Sequence, residues 1–217
     1  MRTNLRALAV VIVTALALIA PSTAPSTASS IAHAQPTGRD ILLMGSSTTG
    51  CTGPSTPSAC FVNKVKAARA ADRFTVLARG GTYVAYGTPS QNWTTTAIPG
   101  GHDIVVVQLG INDWYVPVTP LTFGAQVAEL LQRVRSANPD AEIHWVRTWM
   151  PAPTGNADIR RSMWVRHGFS TADAVETVGG TFHDMSGTPT RFAVDSTGWH
   201  YNNLGHQRLA DLLLSFM

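Results

Sequence analysis

Short apolar segments alternate along the chain with segments whose apolar residues recur at helical spacing. The short segments are rich in β-branched and aromatic residues, which is typical of strands. These predicted strands are Asp40–Gly45, Phe74–Ala78, Asp103–Gly110, Glu142–Trp149 and Gly180–Met185. The predicted helices cover residues 59–72, 123–137, 159–174 and 202–216. Strand and helix therefore take turns through most of the chain.

This alternation predicts βαβ units joined by right-handed crossovers. The stretch Ile104–Leu109 is apolar on both faces, as a strand of a parallel sheet covered by helices on both sides requires. We therefore predict a three-layer α/β/α sandwich with a mostly parallel sheet of about five strands. Ligands of such sheets bind beyond the carboxyl ends of the strands, so the residues that follow each strand are the candidates for function.

The N-terminal residues have a different composition from the rest. Two arginines within Met1–Arg6 precede the almost wholly apolar Ala7–Ala20, and a segment rich in Pro, Ser, Thr and Ala follows. That order is typical of a secretory signal peptide, and the apolar run is shorter than the roughly 20 residues that span a bilayer. We expect a signal peptide over 1–34, cleaved after Ala34, a short leader over 35–39 and a folded domain over 40–217. Ala24 and Ala28 end alternative cleavage triplets.

Composition and charge narrow the possible partners. Of the 217 residues, 44% are hydrophobic and 13% charged, which fits a globular protein. The net charge of +3 falls to +1 without residues 1–34, because Arg2 and Arg6 leave and no acidic residue does. We therefore predict a secreted protein with no nucleic-acid partner and no stable membrane span, and we expect a monomer.

Cysteine and histidine usage bears on disulfides and metals. The two cysteines, Cys51 and Cys60, enclose eight residues, and disulfides persist in exported proteins, so we predict a Cys51–Cys60 bridge. The alternative is two unpaired buried thiols. A metal site is disfavoured because no other cysteine or histidine lies nearby and the remaining histidines lack metal-ligand spacing. We predict no metal and no cofactor.

Small and polar residues follow four of the predicted strands. They are Gly45-Ser46-Ser47-Thr48-Thr49, Arg79-Gly80-Gly81-Thr82, Gly110-Ile111-Asn112-Asp113, and the segment 194–211 with Asp195 and His200. A serine hydroxyl becomes a good nucleophile when an imidazole takes its proton and hydrogen-bond donors hold the oxyanion. His200 has the right chemistry for the base. A glycine amide and the Asn112 side chain have the right chemistry for the donors.

These motifs resemble the SGNH or GDSL hydrolases, a family of serine esterases and lipases named for Ser, Gly, Asn and His in four blocks. "LLMGSSTTG" is similar to the first block and implies Ser47 as nucleophile. "LGIND" is similar to the third and implies Asn112 in the oxyanion hole. "WHYNNLGHQRLAD" resembles the last, with His200 five residues before Gly205. The resemblance covers Asp40–Asp211 and implies a catalytic domain with the flavodoxin-like SGNH hydrolase fold.

Two features depart from the family pattern. The second block matches the family pattern poorly, so either Gly80 or Gly81 can supply the oxyanion amide. We choose Gly81, which together with Ser47 and Asn112 makes the predicted oxyanion hole. The family acid normally lies three residues before the histidine, where this chain has Thr197. Asp195, five residues before, can reach the imidazole through a bulge eased by Gly198. The alternative is a Ser–His dyad whose ring is oriented by a backbone carbonyl.

Several neighbouring residues have simpler interpretations. We expect Ser46, Thr48 and Thr49 to hydrogen-bond backbone amides of the turn. We expect Asp113 to tie down the loop that carries Asn112, and His206 to face solvent on the last helix. Trp114 and Trp199 line the substrate pocket in one interpretation and pack in the core in the other.

The resemblance therefore implies a secreted hydrolase that cleaves carboxylic esters through an acyl-enzyme on Ser47, with His200 as base and Asp195 as acid. The substrate would be a small-molecule, lipid or polysaccharide ester. Two alternatives remain open. One is acyl transfer to a sugar or lipid hydroxyl, and the other is a carbohydrate- or lipid-binding module that keeps the fold without turnover.

Overall fold

The computed structural model describes residues 38–147, 157–186, 193–196 and 198–217. Its strands are Asp40–Gly45 (β1), Arg73–Ala78 (β2), Ile104–Gln108 (β3), Glu142–Arg147 (β4) and Thr181–Asp184 (β5). Its α-helices are Phe61–Ala68 (α1), Pro120–Ala137 (α2), Ala157–Glu176 (α3) and Asn203–Phe216 (α4). Short 3₁₀ turns occupy Pro57–Ala59, Pro89–Gln91 and Asp113–Tyr115. The predicted signal peptide and residues 148–149 of the fourth predicted strand lie outside the described residues.

The five strands form a parallel sheet in the order β2-β1-β3-β4-β5. This is the flavodoxin-like order, in which the chain reverses direction across the sheet between β1 and β3. In sheets of this type the point of reversal, here the carboxyl ends of β1 and β3, is where a crevice forms and ligands bind. The predicted α/β fold with a parallel sheet is confirmed.

Helices cover both faces of the sheet. Because successive side chains of a strand point to opposite faces, Leu42 and Met44 pack with α2 and α3, while Ile41 and Leu43 pack with α1 and α4. The alternating burial of β1 thus produces the three layers. In the described ranges, no helix combines the length and apolar character of a membrane-crossing segment.

Helix starts are set by local capping. The Thr119 hydroxyl accepts a hydrogen bond from the Thr122 amide, and Pro120 occupies the first turn, so α2 begins three residues before the predicted position. The Asn202 side chain caps α4 by accepting from the amides of Leu204 and Gly205. This cap lies two residues after His200.

Candidate active site

The chain makes a tight turn directly after β1 and presents Ser47 at the edge of the sheet. A Cβ on Gly45 would lie 1.9 Å from the Thr49 hydroxyl oxygen, so a larger residue does not fit there. The Gly50 amide donates to the Ser46 carbonyl (3.0 Å) and the Thr52 amide donates to the Ser47 carbonyl (2.9 Å). These backbone hydrogen bonds hold Ser47 in place at the crevice between β1 and β3.

His200 reaches Ser47 from a distant part of the sequence. The distance from His200 Nε2 to Ser47 Oγ is 3.1 Å, although 153 residues separate them. This is within the range for a hydrogen bond between a nucleophile and its general base. His200 lies on a hairpin in which Val194 pairs with Tyr201, and the Asp195 amide donates to the His200 carbonyl at 2.8 Å.

Asp195 lies on the other arm of that hairpin. Its Oδ2 is 3.5 Å from His200 Nδ1, which is longer than the usual 2.7–3.2 Å of an N–H···O hydrogen bond. The turn between them closes through Gly198, whose φ of +75° is readily adopted by glycine and whose amide donates to the Asp195 carbonyl. The structure thus brings Asp195 to the imidazole across the five-residue spacing. Thr197 lies outside the described residues.

The two candidate glycines follow β2, next to Ser47. A Cβ on Gly80 would lie 3.8 Å from Ser47 Cβ, and Gly81 has a φ of +68° with open space where a Cβ would be. Among the described residues, the amides of Ser47, Gly80 and Gly81 have no hydrogen-bond acceptor. All three N–H groups are therefore available to a developing negative charge at this edge.

Asn112 lies at the carboxyl end of strand β3. Its side chain is held by the loop that follows β2 and contains Gly80 and Gly81, called the glycine loop below. The Asn112 Nδ2 donates to the Thr82 carbonyl at 2.8 Å. Because a carbonyl only accepts, this bond fixes which end of the amide carries the N–H groups. The second hydrogen on Nδ2 has no acceptor among the described residues.

Thr82 also connects the glycine loop to the residues behind it. Its hydroxyl donates to the Arg79 carbonyl at 2.7 Å and accepts from Nε1 of the fully buried Trp93 at 2.8 Å. The Arg79 guanidinium lies over the Trp93 ring, 4.4 Å from its centroid, and donates to the carbonyls of Ser90 and Asn92. Sequence reasoning missed this network, which holds residues 79–96 as one unit.

Asp113 ties the same loop to β3, as the sequence predicts. Its carboxylate is fully buried and accepts from the Val84 amide at 3.0 and 3.2 Å. Burial raises the pKa of Asp113 from 3.8 to about 7, although the hydrogen bonds from the backbone amides of Val84 and Asp113 itself act in the opposite direction. Asn112 and its neighbour thus each contact the loop that supplies the glycine amides.

Three expectations about neighbouring residues are wrong. His206 is fully buried rather than facing solvent. The buried Ser46 hydroxyl has no partner among the described residues, and the Thr49 hydroxyl donates to the Gln108 side chain at 2.9 Å instead of bonding the backbone of the turn. A polar side chain at a turn pairs with whichever group packing brings near it, and sequence does not reveal that group.

The two tryptophans next to the site differ in burial. Trp114 is 3% exposed and packs edge to face on Trp164, with ring centroids 6.4 Å apart, so the core alternative holds for it. Trp199, beside His200, is 38% exposed, so part of this residue lies at the surface.

The predicted Cys51–Cys60 disulfide is present, with its Cα atoms 5.3 Å apart. His144 and His183 do approach each other, with Nδ1 and Nε2 3.0 Å apart. Even so, no group of three or more potential metal ligands occurs within the part of the chain that the structure describes. The described residues thus provide a serine, an imidazole and amide donors, which is the chemistry of acyl transfer.

The sequence matches the GDSL-like Lipase/Acylhydrolase family over residues 43–208. The chain belongs to this family, and its class of activity is ester hydrolysis. The matched range includes every residue placed at the site above. A search of curated proteins finds no match.

Solved structures with the same fold share little sequence with this chain. A protein from Lactobacillus plantarum has a TM-score of 0.68 at 18% identity, over 83% of this chain and 96% of that one. A family two carbohydrate esterase from Clostridium thermocellum, in complex with cellohexaose, has a TM-score of 0.59 at 19% identity, over 84% and 64%. An acetyl xylan esterase from the rumen bacterium Butyrivibrio proteoclasticus has a TM-score of 0.60 at 16% identity, over 82% and 62%. At this level of identity they share the fold alone.

Proposed function

We propose that this protein is a secreted serine hydrolase that cleaves carboxylic esters through an acyl-enzyme on Ser47. The observation that carries the proposal is the 3.1 Å distance between Ser47 Oγ and His200 Nε2. His200 is the general base, Asp195 orients it, and the amides of Ser47 and Gly81 with the Asn112 side chain form the oxyanion hole.

The reaction follows from these positions. His200 Nε2 takes the Ser47 proton as Oγ bonds to the ester carbonyl carbon, and the carbonyl oxygen becomes an oxyanion held by the amide donors. The intermediate collapses, the bond to the alcohol oxygen breaks, and His200 returns its proton to that oxygen. Water then attacks the acyl-enzyme with His200 again as base, which releases the acid and restores Ser47.

We propose carbohydrate esters as the substrate class. Two of the proteins that share the fold are carbohydrate esterases by name. The partial exposure of Trp199, beside His200, is compatible with this assignment, because tryptophan combines a large apolar surface with a polar N–H group. The disulfide supports export, together with the signal peptide predicted over 1–34.

Two serine variants test the proposal. We expect a fluorophosphonate probe to label wild-type protein stoichiometrically and Ser47→Ala not at all, with ester hydrolysis lost in parallel. Ser46→Ala is the matched control, because it removes the adjacent buried hydroxyl and should keep most of the activity. A Ser47→Ala variant with wild-type hydrolysis would contradict the assignment. An unlabelled wild-type protein that still binds carbohydrate would point to a binding module instead.

A substrate profile tests the proposed class. p-Nitrophenyl esters of increasing chain length and an acetylated polysaccharide are compared by kcat/KM. We expect short acyl esters and the polysaccharide to be hydrolysed, and Trp199→Ala to raise KM for the polysaccharide more than for p-nitrophenyl acetate. An equal effect on both substrates would argue against a sugar-stacking role for Trp199.

A further inference from the structure

His206 lies in the first turn of α4, with its imidazole fully buried under the disulfide loop, residues 51–60. The ring stacks on Phe61, with centroids 5.8 Å apart, and meets Tyr201 edge to face at 6.2 Å. The Phe61 amide donates to Nδ1 at 3.2 Å, and Nε2 is 3.3 Å from the Thr52 carbonyl oxygen. One imidazole thus bridges the two residues that directly follow the disulfide-bonded cysteines.

These partners allow one protonation state of the ring. An amide N–H only donates, so Nδ1 must be unprotonated, and a carbonyl only accepts, so Nε2 must carry the hydrogen. Burial lowers the pKa of His206, and the nearby positive charges of Lys64 and of protonated His200 act in the same direction, although the Thr52 carbonyl opposes them. The neutral form that both hydrogen bonds require therefore persists at neutral pH.

This bridge leads directly to the nucleophile. Thr52, whose carbonyl accepts from His206, donates its own amide to the Ser47 carbonyl at 2.9 Å. One residue therefore separates the His206 ring from the backbone of Ser47. The first turn of α4 also begins shortly after His200. In that turn the His206 amide donates to the Asn202 carbonyl at 2.9 Å.

The disulfide loop also packs tightly against the histidine segment. A Cβ on Gly53 would lie 2.1 Å from the Tyr201 carbonyl oxygen and 2.9 Å from His200 Cβ. Ser55 and Asn203 exchange two hydrogen bonds of 2.8 Å each. The segment after Ser47 and the segment after His200 are therefore joined at several points, and the buried His206 ring adds two hydrogen bonds between them.

We propose that His206 is a positioning residue, which through Thr52 sets the Ser47 hydroxyl relative to the His200 imidazole. The inference rests on the proposed function, and His206 itself contacts no reacting atom. We expect its effect to come from geometry. A displacement of about 1 Å between reacting groups lowers the rate by up to about 100-fold.

Three variants separate the hydrogen bonds from the packing. His206→Phe keeps a flat ring against Phe61 and removes both hydrogen bonds. His206→Gln offers a donor near the position of Nε2, and His206→Asn offers an acceptor near that of Nδ1. His144→Phe is the matched control, since it replaces another buried histidine whose ring stacks on Phe216 and bonds His183.

We expect kcat to fall about tenfold or more in the Phe and Asn variants, with KM within about twofold of wild type. The Gln variant should recover most of kcat, and the His144 control should keep it. Equal kcat in the Gln and Asn variants would overturn the proposal, even if the Phe variant does not fold. A folded Phe variant with wild-type kcat would do the same.

A readout that needs no turnover distinguishes this proposal from the proposed function. The ¹⁵N shifts of the His200 imidazole report its hydrogen bond to Ser47, and we expect His206→Phe to move them in the direction that Ser47→Ala does. Unchanged shifts in folded His206→Phe would overturn the positioning role. If the wild-type protein hydrolyses no ester, the proposed function fails, and these shifts alone decide the role of His206.

Discussion

The Asp195 carboxylate lies 3.5 Å from Nδ1 of His200, on the facing arm of the same hairpin. In this position Asp195 can hold the imidazole with Nε2 toward Ser47 and stabilise the imidazolium that forms during attack. Its other oxygen, Oδ1, accepts from the Trp199 amide at 3.3 Å, which helps to fix the carboxylate in that orientation. The hairpin therefore places a carboxylate beside the imidazole even though the two residues are five positions apart.

Replacing this carboxylate tests the triad. Asp195→Asn should keep the fold and lower kcat substantially, by up to about 10⁴ as in well-studied triads, because the amide favours the wrong tautomer of His200. Thr197→Ala is the control at the usual family position and should change little. Circular dichroism establishes that both variants fold, and steady-state kinetics then measure kcat. An Asp195→Asn enzyme within about threefold of wild type, roughly 0.65 kcal/mol in the barrier, would favour a dyad.

The hydrogen bond between Trp93 and Thr82 should affect catalysis because Thr82 lies on the glycine loop and Trp93 packs beneath it. Trp93→Phe removes the donor to the Thr82 hydroxyl while keeping an aromatic ring under Arg79. We expect a stability loss of roughly 2–3 kcal/mol, because the smaller ring leaves a cavity at a fully buried position in addition to the lost hydrogen bond. We expect kcat to fall about tenfold because Thr82 orients Asn112. The double variant with Thr82→Val should lose little more than either single variant. Additive losses would show that the two side chains act independently.

Asp113 should make folding stability depend on pH. Its pKa is about 7 in the folded state against 3.8 ordinarily, so between these values the unfolded chain is ionised and the folded chain still holds the proton. Stability from this group is therefore fully present below about pH 4, falls as pH rises and levels off above about pH 7. The slope from one such group is at most about 1.4 kcal/mol per pH unit.

Asp113→Asn removes this titration and retains a side-chain oxygen to accept from Val84. Urea unfolding of both proteins from pH 4 to 8 should show the wild type losing stability relative to the variant across that window. Other titrating groups are common to both proteins and cancel in the difference. Parallel stability curves would mean that Asp113 keeps an ordinary pKa in the folded protein.

The disulfide should stabilise the protein and support the site. Reduction of Cys51–Cys60, or a double Cys→Ser variant, removes a closure over a sequence separation of nine residues. In the loop-entropy model such a closure is worth about 2–3 kcal/mol. Because the loop contacts His200 and Tyr201, we also expect a lower kcat under conditions where the reduced protein remains folded. Mass spectrometry that finds two free thiols in native secreted protein would contradict the bridge.

The sequence by itself determines the order and type of the elements. Observed strands begin within one residue of their predicted starts, because buried parallel strands need short apolar runs and connecting helices need an apolar stripe. The same order of strand ends predicts that Ser47, the glycine pair, Asn112 and His200 share one edge of the sheet. Topology alone is enough for that conclusion, since parallel strands bring their carboxyl ends together.

The helical spacing of apolar residues in α4 predicts that His206 is buried, although histidine is often a surface residue. His206 precedes Leu209, Ala210 and Leu213 by three, four and seven positions, which is the spacing of the buried face of α4. The prediction that His206 faces solvent relied on its residue type and not on this spacing. Its two hydrogen-bond partners, Thr52 and Phe61, could not be found from the helix, because they lie about 150 residues earlier, directly after the two cysteines.

Only the tertiary structure decided which polar groups pair. Trp93 reaches Thr82, Val84 reaches Asp113 and Asp195 reaches His200 through loops whose conformations depend on packing. The apolar pattern repeats along one element and can be recognised locally. A hydrogen bond depends on distances of a few tenths of an ångström between chain segments that share no such repeat. Sequence therefore predicted the residues at the crevice, and the fold alone decided how they are held there.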